Sequence, residues 1–344
     1  MRPLSTGFRF LILFLLLAAI QLPFTNSLHA EPDDPKLANK RCMMCHGKEG
    51  FSRDGRDLSV MAAQFDSSVH GSQDCVGCHQ DVTKVPHRKG IERKVGCVQC
   101  HLDEWGEAQE NGTEHENGKL ENVVDHIESY MDSMHARPRM DDQTRTNAAC
   151  HNCHGSHGIT AVDRESGFDN FTSLADNCGT CHSEVMATYQ ASVHGRQVAQ
   201  GNTDAAVCSD CHTRHGVGAP GTEEERVQVT ESCGNCHEDS MKTYMATYHG
   251  KITILGYGTT AKCYDCHGAH EIQRQDDPAS LMHIDNRLET CQTCHEGATA
   301  GFATFYPHGD WRDREKFPEM WFAMMGMVGL LIGTFSFFWL HSAL

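Results

Sequence analysis

All 18 cysteines of this 344-residue chain fall in nine Cys-x-x-Cys-His units, and none is left over. The units are Cys42, Cys45 and His46; Cys75, Cys78 and His79; Cys97, Cys100 and His101; Cys150, Cys153 and His154; and Cys178, Cys181 and His182. Four more follow: Cys208, Cys211 and His212; Cys233, Cys236 and His237; Cys263, Cys266 and His267; and Cys291, Cys294 and His295. Two thiols at this spacing can form thioethers to the vinyl groups of a haem while the adjacent histidine reaches the iron from one face. Zinc ribbons, thioredoxin-like redox pairs and disulfides also use Cys-x-x-Cys, but none of them needs a histidine after the second cysteine. Here it follows nine times out of nine, which points to nine covalently bound c-type haems.

A two-haem block recurs three times in the C-terminal half. Cys150, Cys208 and Cys263 are 58 and 55 residues apart, and Cys178, Cys233 and Cys291 are 55 and 58 apart. Each block carries two spare histidines. The first follows a motif histidine by three residues: His157, His215 and His270. The second lies in Tyr-x-x-Ser/Thr-x-His-Gly, at His194 and His249, with His308 in a third copy that is one residue longer and has lost the tyrosine. Upstream, His70 in Ser-Ser-Val-His-Gly, His87 in Val-Pro-His and His135 in Tyr-x-x-Ser-Met-His-Ala add three more. Nine candidate second ligands for nine irons is the number that bis-histidine coordination requires throughout. Sequence order leaves open which of them serves which iron. His115, His126, His151 and His283 lie outside these patterns and are expected to be surface side chains or propionate partners.

Arg2 and Arg9, the apolar run from Phe10 to Ile20 and the small-residue site ending at Ala30 predict a secretory signal peptide over residues 1–30. A second uncharged run, Trp321 to Leu340, predicts a transmembrane helix over 319–341, with Trp321 and Trp339 near its two interfaces. Between these ends the expected organisation is an N-terminal trihaem region over 31–140 and a hexahaem region of three two-haem repeats over 141–310. About 32 residues per cofactor are too few to enclose each haem in its own apolar pocket, so the haems themselves would form the core. The expected fold is mainly α, with extensive irregular loops and little β, organised around a stacked haem array. Ser183 to Val193 reads as one short helix closed by Gly195.

The balance of 46 acidic against 29 basic residues, a net charge of −17, makes nucleic acid an unsuitable partner. Burial, ligation and hydrogen bonding would set each haem's potential.

The Cys-x-x-Cys-His-x-x-His units, the Ser-Val-His-Gly segments and the stretch from His308 through Trp311 to Met320 before the apolar run resemble membrane-anchored periplasmic multihaem c cytochromes of anaerobically respiring bacteria. The resemblance covers most of the mature chain. It implies a protein on the periplasmic face of the inner membrane that takes electrons from the quinone pool or a b-type cytochrome and passes them to periplasmic or outer-membrane cytochromes. The ending from His341 to Leu344 is similar to the start of a longer membrane domain in fused relatives, which would place the b-type part on a separate chain. His341 is weighed there both as an interfacial side chain and as a ligand to a b haem. Two other classes compete with this expectation. One is a multihaem reductase of nitrite, hydroxylamine or a sulfur oxyanion, which needs one open or unusual axial position. The other is a conductive filament, against which the C-terminal anchor argues.

Overall fold

The computed structural model describes residues 35–87, 95–115, 118–160 and 168–344. The expected signal peptide over 1–30 lies outside them. The described chain is mainly helical, and its one sheet is a two-stranded antiparallel pair, Ser52–Arg53 with Arg56–Asp57. It divides into two compact units: the first runs to Val95 and includes His157–Ile159, and the second holds Gly96–Ser156 and everything from Thr160 onward.

In the second unit Cys97 opens the helix Cys97–Asn111, and from Cys150 onward the Cys-x-x-Cys-His units alternate between helix starts and helix ends. Three of them form five-residue helices, Cys150–His154, Cys208–His212 and Cys263–His267. Each is closed at its start by the third helical residue. The side-chain oxygens of Asn152, Asp210 and Asp265 accept the backbone N–H of Ala149, Val207 and Lys262 at 2.8, 2.7 and 2.7 Å. This satisfies a donor that a helix start leaves orphaned. Cys178, Cys233 and Cys291 instead sit in the last turns of the helices Phe168–Gly179, Glu223–Gly234 and Arg287–Gln292.

The expected single helix from Ser183 is two. Ser183–Ala191 ends where Ser192 turns extended, with ψ 169°, and Ser192 then caps Val193–Ala199 by accepting the N–H of Gly195 at 3.1 Å. The next block repeats the break: Thr247 separates Glu238–Ala246 from Tyr248–Ile254 and accepts the N–H of Gly250 at 3.2 Å. Gly195 and Gly250 therefore lie inside the second helix of each pair. A Cβ there would overlap the carbonyl oxygen of Tyr189 or Tyr244, so glycine is required by close approach.

Apolar burial is sparse. Among the described residues nine apolar side chains are buried, and the one cluster they form joins Val198, Ala205 and Val207, with Leu174 packed against it. That is far below what a chain of this size buries in an apolar core. One C-terminal helix, Pro318–Ala343, is long and apolar enough to cross a membrane. Its 26 residues span about 39 Å against a hydrocarbon thickness of about 30 Å. Arg314 packs over Trp321 and Phe322 at its N-terminal end, 4.8 and 5.7 Å from the ring centres.

Candidate functional site

Eight motif histidines each face a different spare histidine. In the first unit His46 faces His87 at 6.0 Å between ring centres, and His79 faces His157 at 6.1 Å. In the second unit the pairs are His154 with His215 at 6.0 Å, His182 with His135 at 6.4 Å and His212 with His270 at 6.0 Å. His237 with His194 at 6.2 Å, His267 with His308 at 6.2 Å and His295 with His249 at 6.1 Å complete them. The tally leaves one motif histidine, His101, in the second unit and one spare histidine, His70, in the first. Neither is without a partner.

These separations are too wide for ring contact and too uniform for chance. Two metal–nitrogen bonds of about 2 Å, with about 1 Å more from nitrogen to ring centre on each side, leave imidazole centres about 6 Å apart. For contrast, His126 lies 4.4 Å from His215, which is contact stacking. Among the described residues no group of three or more His, Cys, Asp or Glu is gathered to hold a metal ion. Two axial imidazoles alone are the donor set left to a protein when a planar macrocycle supplies the other four positions. The residues therefore fit a haem.

A shared scaffold presents the spare histidines. Tyr130, Tyr189 and Tyr244, each five residues before His135, His194 and His249, donate their hydroxyls to the carbonyls of Ala148, Ala206 and Ala261 at 2.9, 2.9 and 2.8 Å. Those alanines lie two residues before Cys150, Cys208 and Cys263, so each tyrosine ties a spare histidine to the next attachment unit. The residues just before His70, His135 and His194 also donate their N–H groups in parallel fashion. Val69, Met134 and Val193 bond the carbonyls of Ile159, Val217 and Ile272, each 2.8 Å away and two residues beyond His157, His215 and His270. His70 and His135 thus share the backbone setting of His194, which their looser sequence context did not reveal.

The pairing interlocks the blocks. His157 follows His154 in sequence yet faces His79, His215 follows His212 yet faces His154, and His270 follows His267 yet faces His212. Each thus reaches back past two attachment units. His308 faces His267, the unit that a further such block would otherwise serve, so it does not behave as the third copy of His194 and His249.

Electrostatics favours the ligating form of the rings. Burial first, and then the facing ring, lowers the pKa of His79, His135, His194, His249, His267 and His270. Burial with His126, His154 and Arg214 takes His215 down to about 4. These rings are neutral at pH 7, the state a metal requires. Three motif or spare rings are also oriented through Nδ1, toward the carbonyl of Leu58 at 2.8 Å for His46, Glu225 Oε1 at 3.1 Å for His212, and Thr243 Oγ1 at 3.0 Å for His308. Such a partner leaves Nε2 for the metal.

Comparison with protein-family models, curated proteins and solved structures finds no match.

The cysteines mark how neighbouring attachment units follow one another. In the first unit the thiols of Cys42 and Cys75 are in hydrogen-bond contact; burial, then Cys42, pushes Cys75 up to about 11. In the second unit Cys97 contacts Cys150, Cys178 contacts Cys208 and Cys233 contacts Cys263, which holds Cys97, Cys208 and Cys233 at about 6, 7 and 7 while raising their partners. Burial and the fields of the following unit raise Cys153 beside Cys178 and Cys181. The same holds for Cys211 beside Cys233 and Cys236, and for Cys266 beside Cys291 and Cys294. From Cys97 to Cys294 each attachment unit therefore adjoins the next in sequence.

His126, expected as a surface side chain or propionate partner, is exposed, and its ring stacks on His215. No sequence offset marks it, because its helix, Gly118–Asp132, lies outside the repeat. His283 orders its own turn by accepting the N–H of Asp285 at 3.4 Å.

Proposed function

We propose that the chain is an electron-transfer protein with nine covalently attached c-type haems, each held between a motif histidine and a second histidine. The observation that carries this reading is the set of eight imidazole pairs at 6.0 to 6.4 Å, each joining a Cys-x-x-Cys-His unit to a different spare histidine. When bound, a haem with two axial imidazoles supplies a reversible one-electron couple. The polypeptide would position these centres: thiols anchor each one, Nδ1 hydrogen bonds set ring orientation, and paired rings occupy the faces on which a small substrate would otherwise bind. The run of adjoining units from Cys97 to Cys294 is followed in the chain by the C-terminal apolar helix, which supports a path from a membrane quinone or b-type cytochrome partner to periplasmic or outer-membrane carriers. On this reading the haem-bearing part lies on the periplasmic side and the helix anchors it to the inner membrane.

Intact mass and electron paramagnetic resonance of the oxidised protein test the proposal together. Nine haems per chain and only low-spin signals are expected. Far fewer than nine haems would overturn the cofactor assignment, and a high-spin iron that turns over nitrite, hydroxylamine or a sulfur oxyanion would replace the wire with a reductase.

A further inference from the structure

We propose that Lys262 is a charge-tuning residue whose buried ammonium raises the reduction potential of the haem held between His249 and His295. The inference rests on the haem-bearing reading above and concerns one site of it.

Lys262 is 1% exposed and is the largest of the fully buried side chains described. Its Nζ donates to Thr253 Oγ1 at 3.0 Å and to the carbonyls of Tyr257 and Thr260 at 2.8 and 2.9 Å. The carbonyls can only accept, and the Thr253 hydroxyl has its own acceptor in the carbonyl of His249 at 2.9 Å. Three acceptors call for three N–H groups, which an ammonium has and a neutral amine lacks.

The charge is not cancelled by a dedicated carboxylate. Asp265, which accepts the Lys262 backbone N–H, is ion-paired with Arg226 at 3.2 Å. Burial and then Arg226 lower the Lys262 pKa, with Asp265 and Glu223 opposing. The charge is coupled to the proposed ligand through one hydroxyl: Nζ donates to Thr253 Oγ1 at 3.0 Å, and Thr253 Oγ1 donates to the carbonyl of His249 at 2.9 Å. Reduction adds an electron to the iron, so a nearby fixed positive charge in a poorly screened interior favours the reduced form.

The preceding block is an internal control. Four residues after His194 stands Val198, where His249 is followed by Thr253, and before Cys208 stands Val207, where Lys262 precedes Cys263. Val198 and Val207 share the apolar cluster at 8% and 2% exposure. An apolar pair therefore suffices to pack this position, and the hydroxyl and ammonium of the later block add a charge that packing does not require.

The test compares Lys262→Met and the double variant Thr253→Val with Lys262→Val, which copies the earlier block, in a spectroelectrochemical titration of the full-length protein. Mass and spin state are read first. Wild-type protein without haem would sink the underlying assignment before Lys262 is tested. With nine low-spin haems retained, one component is expected to move to lower potential by at least a tenfold change in its reduction equilibrium, about 59 mV for one electron, while the other eight hold. Superimposable titrations in either loaded variant, or a shift spread over all components, would overturn the proposal. A purely structural lysine would change the denaturation midpoint alone.

Discussion

Glu225 Oε1 lies 3.1 Å from His212 Nδ1, and Glu225 is 7% exposed. The other Nδ1 partners described for paired rings are neutral, namely the carbonyls of Leu58 and Ser240 and the hydroxyl of Thr243. A carboxylate in that position makes the imidazole a stronger donor and stabilises the oxidised metal. Glu225→Gln keeps the shape and removes the charge. We expect one component of the redox titration to rise by about tenfold in its equilibrium, about 59 mV; an unchanged titration would show that the carboxylate does not act on the metal.

The interlocked pairing makes a nonlocal prediction. His270 stands three residues after His267 but faces His212. His270→Ala should therefore leave nine haems attached and convert a single one to high spin, the same component that Glu225→Gln moves. If the double variant shows the Glu225 shift on a different, still low-spin component, His270 serves another iron.

Gly250→Ala places a Cβ against the carbonyl of Tyr244 in a helix start that Thr247 has already capped. Overpacking of this kind costs about 1 to 3 kcal/mol. The measurement is the denaturant midpoint, and Gly256→Ala, where a Cβ meets open space but the φ is +87°, separates steric overlap from backbone strain. Equal losses at both positions would refute the overlap at Gly250.

Acid should destabilise the protein in a defined direction. Burial lowers the pKa of His79, His135, His154, His157, His194, His249, His267, His270 and His308, and takes His215 to about 4 against an ordinary 6.5, so below 6.5 the unfolded chain takes up protons that the folded chain refuses. Metal ligation acts in the same sense. The denaturation midpoint is expected to be flat above pH 6.5 and to fall as pH drops from 6.5 toward 4. A midpoint that held or rose at pH 5 would contradict neutral, buried rings.

The pattern behind the proposed attachment is legible in the sequence because it is local: a thioether pair and its adjacent histidine would need only three residues at fixed spacing, and the spacing recurs nine times. The same is true of the C-terminal apolar helix, whose length and lack of charge are properties of one segment. The mainly helical character followed from short periodic stretches, although the break at Ser192 did not, since an extended capping serine differs from a helical one only in its backbone.

What the chain order could not contain is partnership at a distance. His157, His215 and His270 each sit beside one motif histidine and face another, and His308 copies the sequence of one class of spare histidine while taking the position of the other. Offsets record which residues repeat, whereas the facing of two imidazoles depends on where tyrosine-to-carbonyl and backbone hydrogen bonds carry separate helices. The same distinction holds for Lys262 and Glu225, two ordinary charged residues in sequence whose significance comes from the burial that tertiary packing imposes, since a charge acts strongly only where water is excluded.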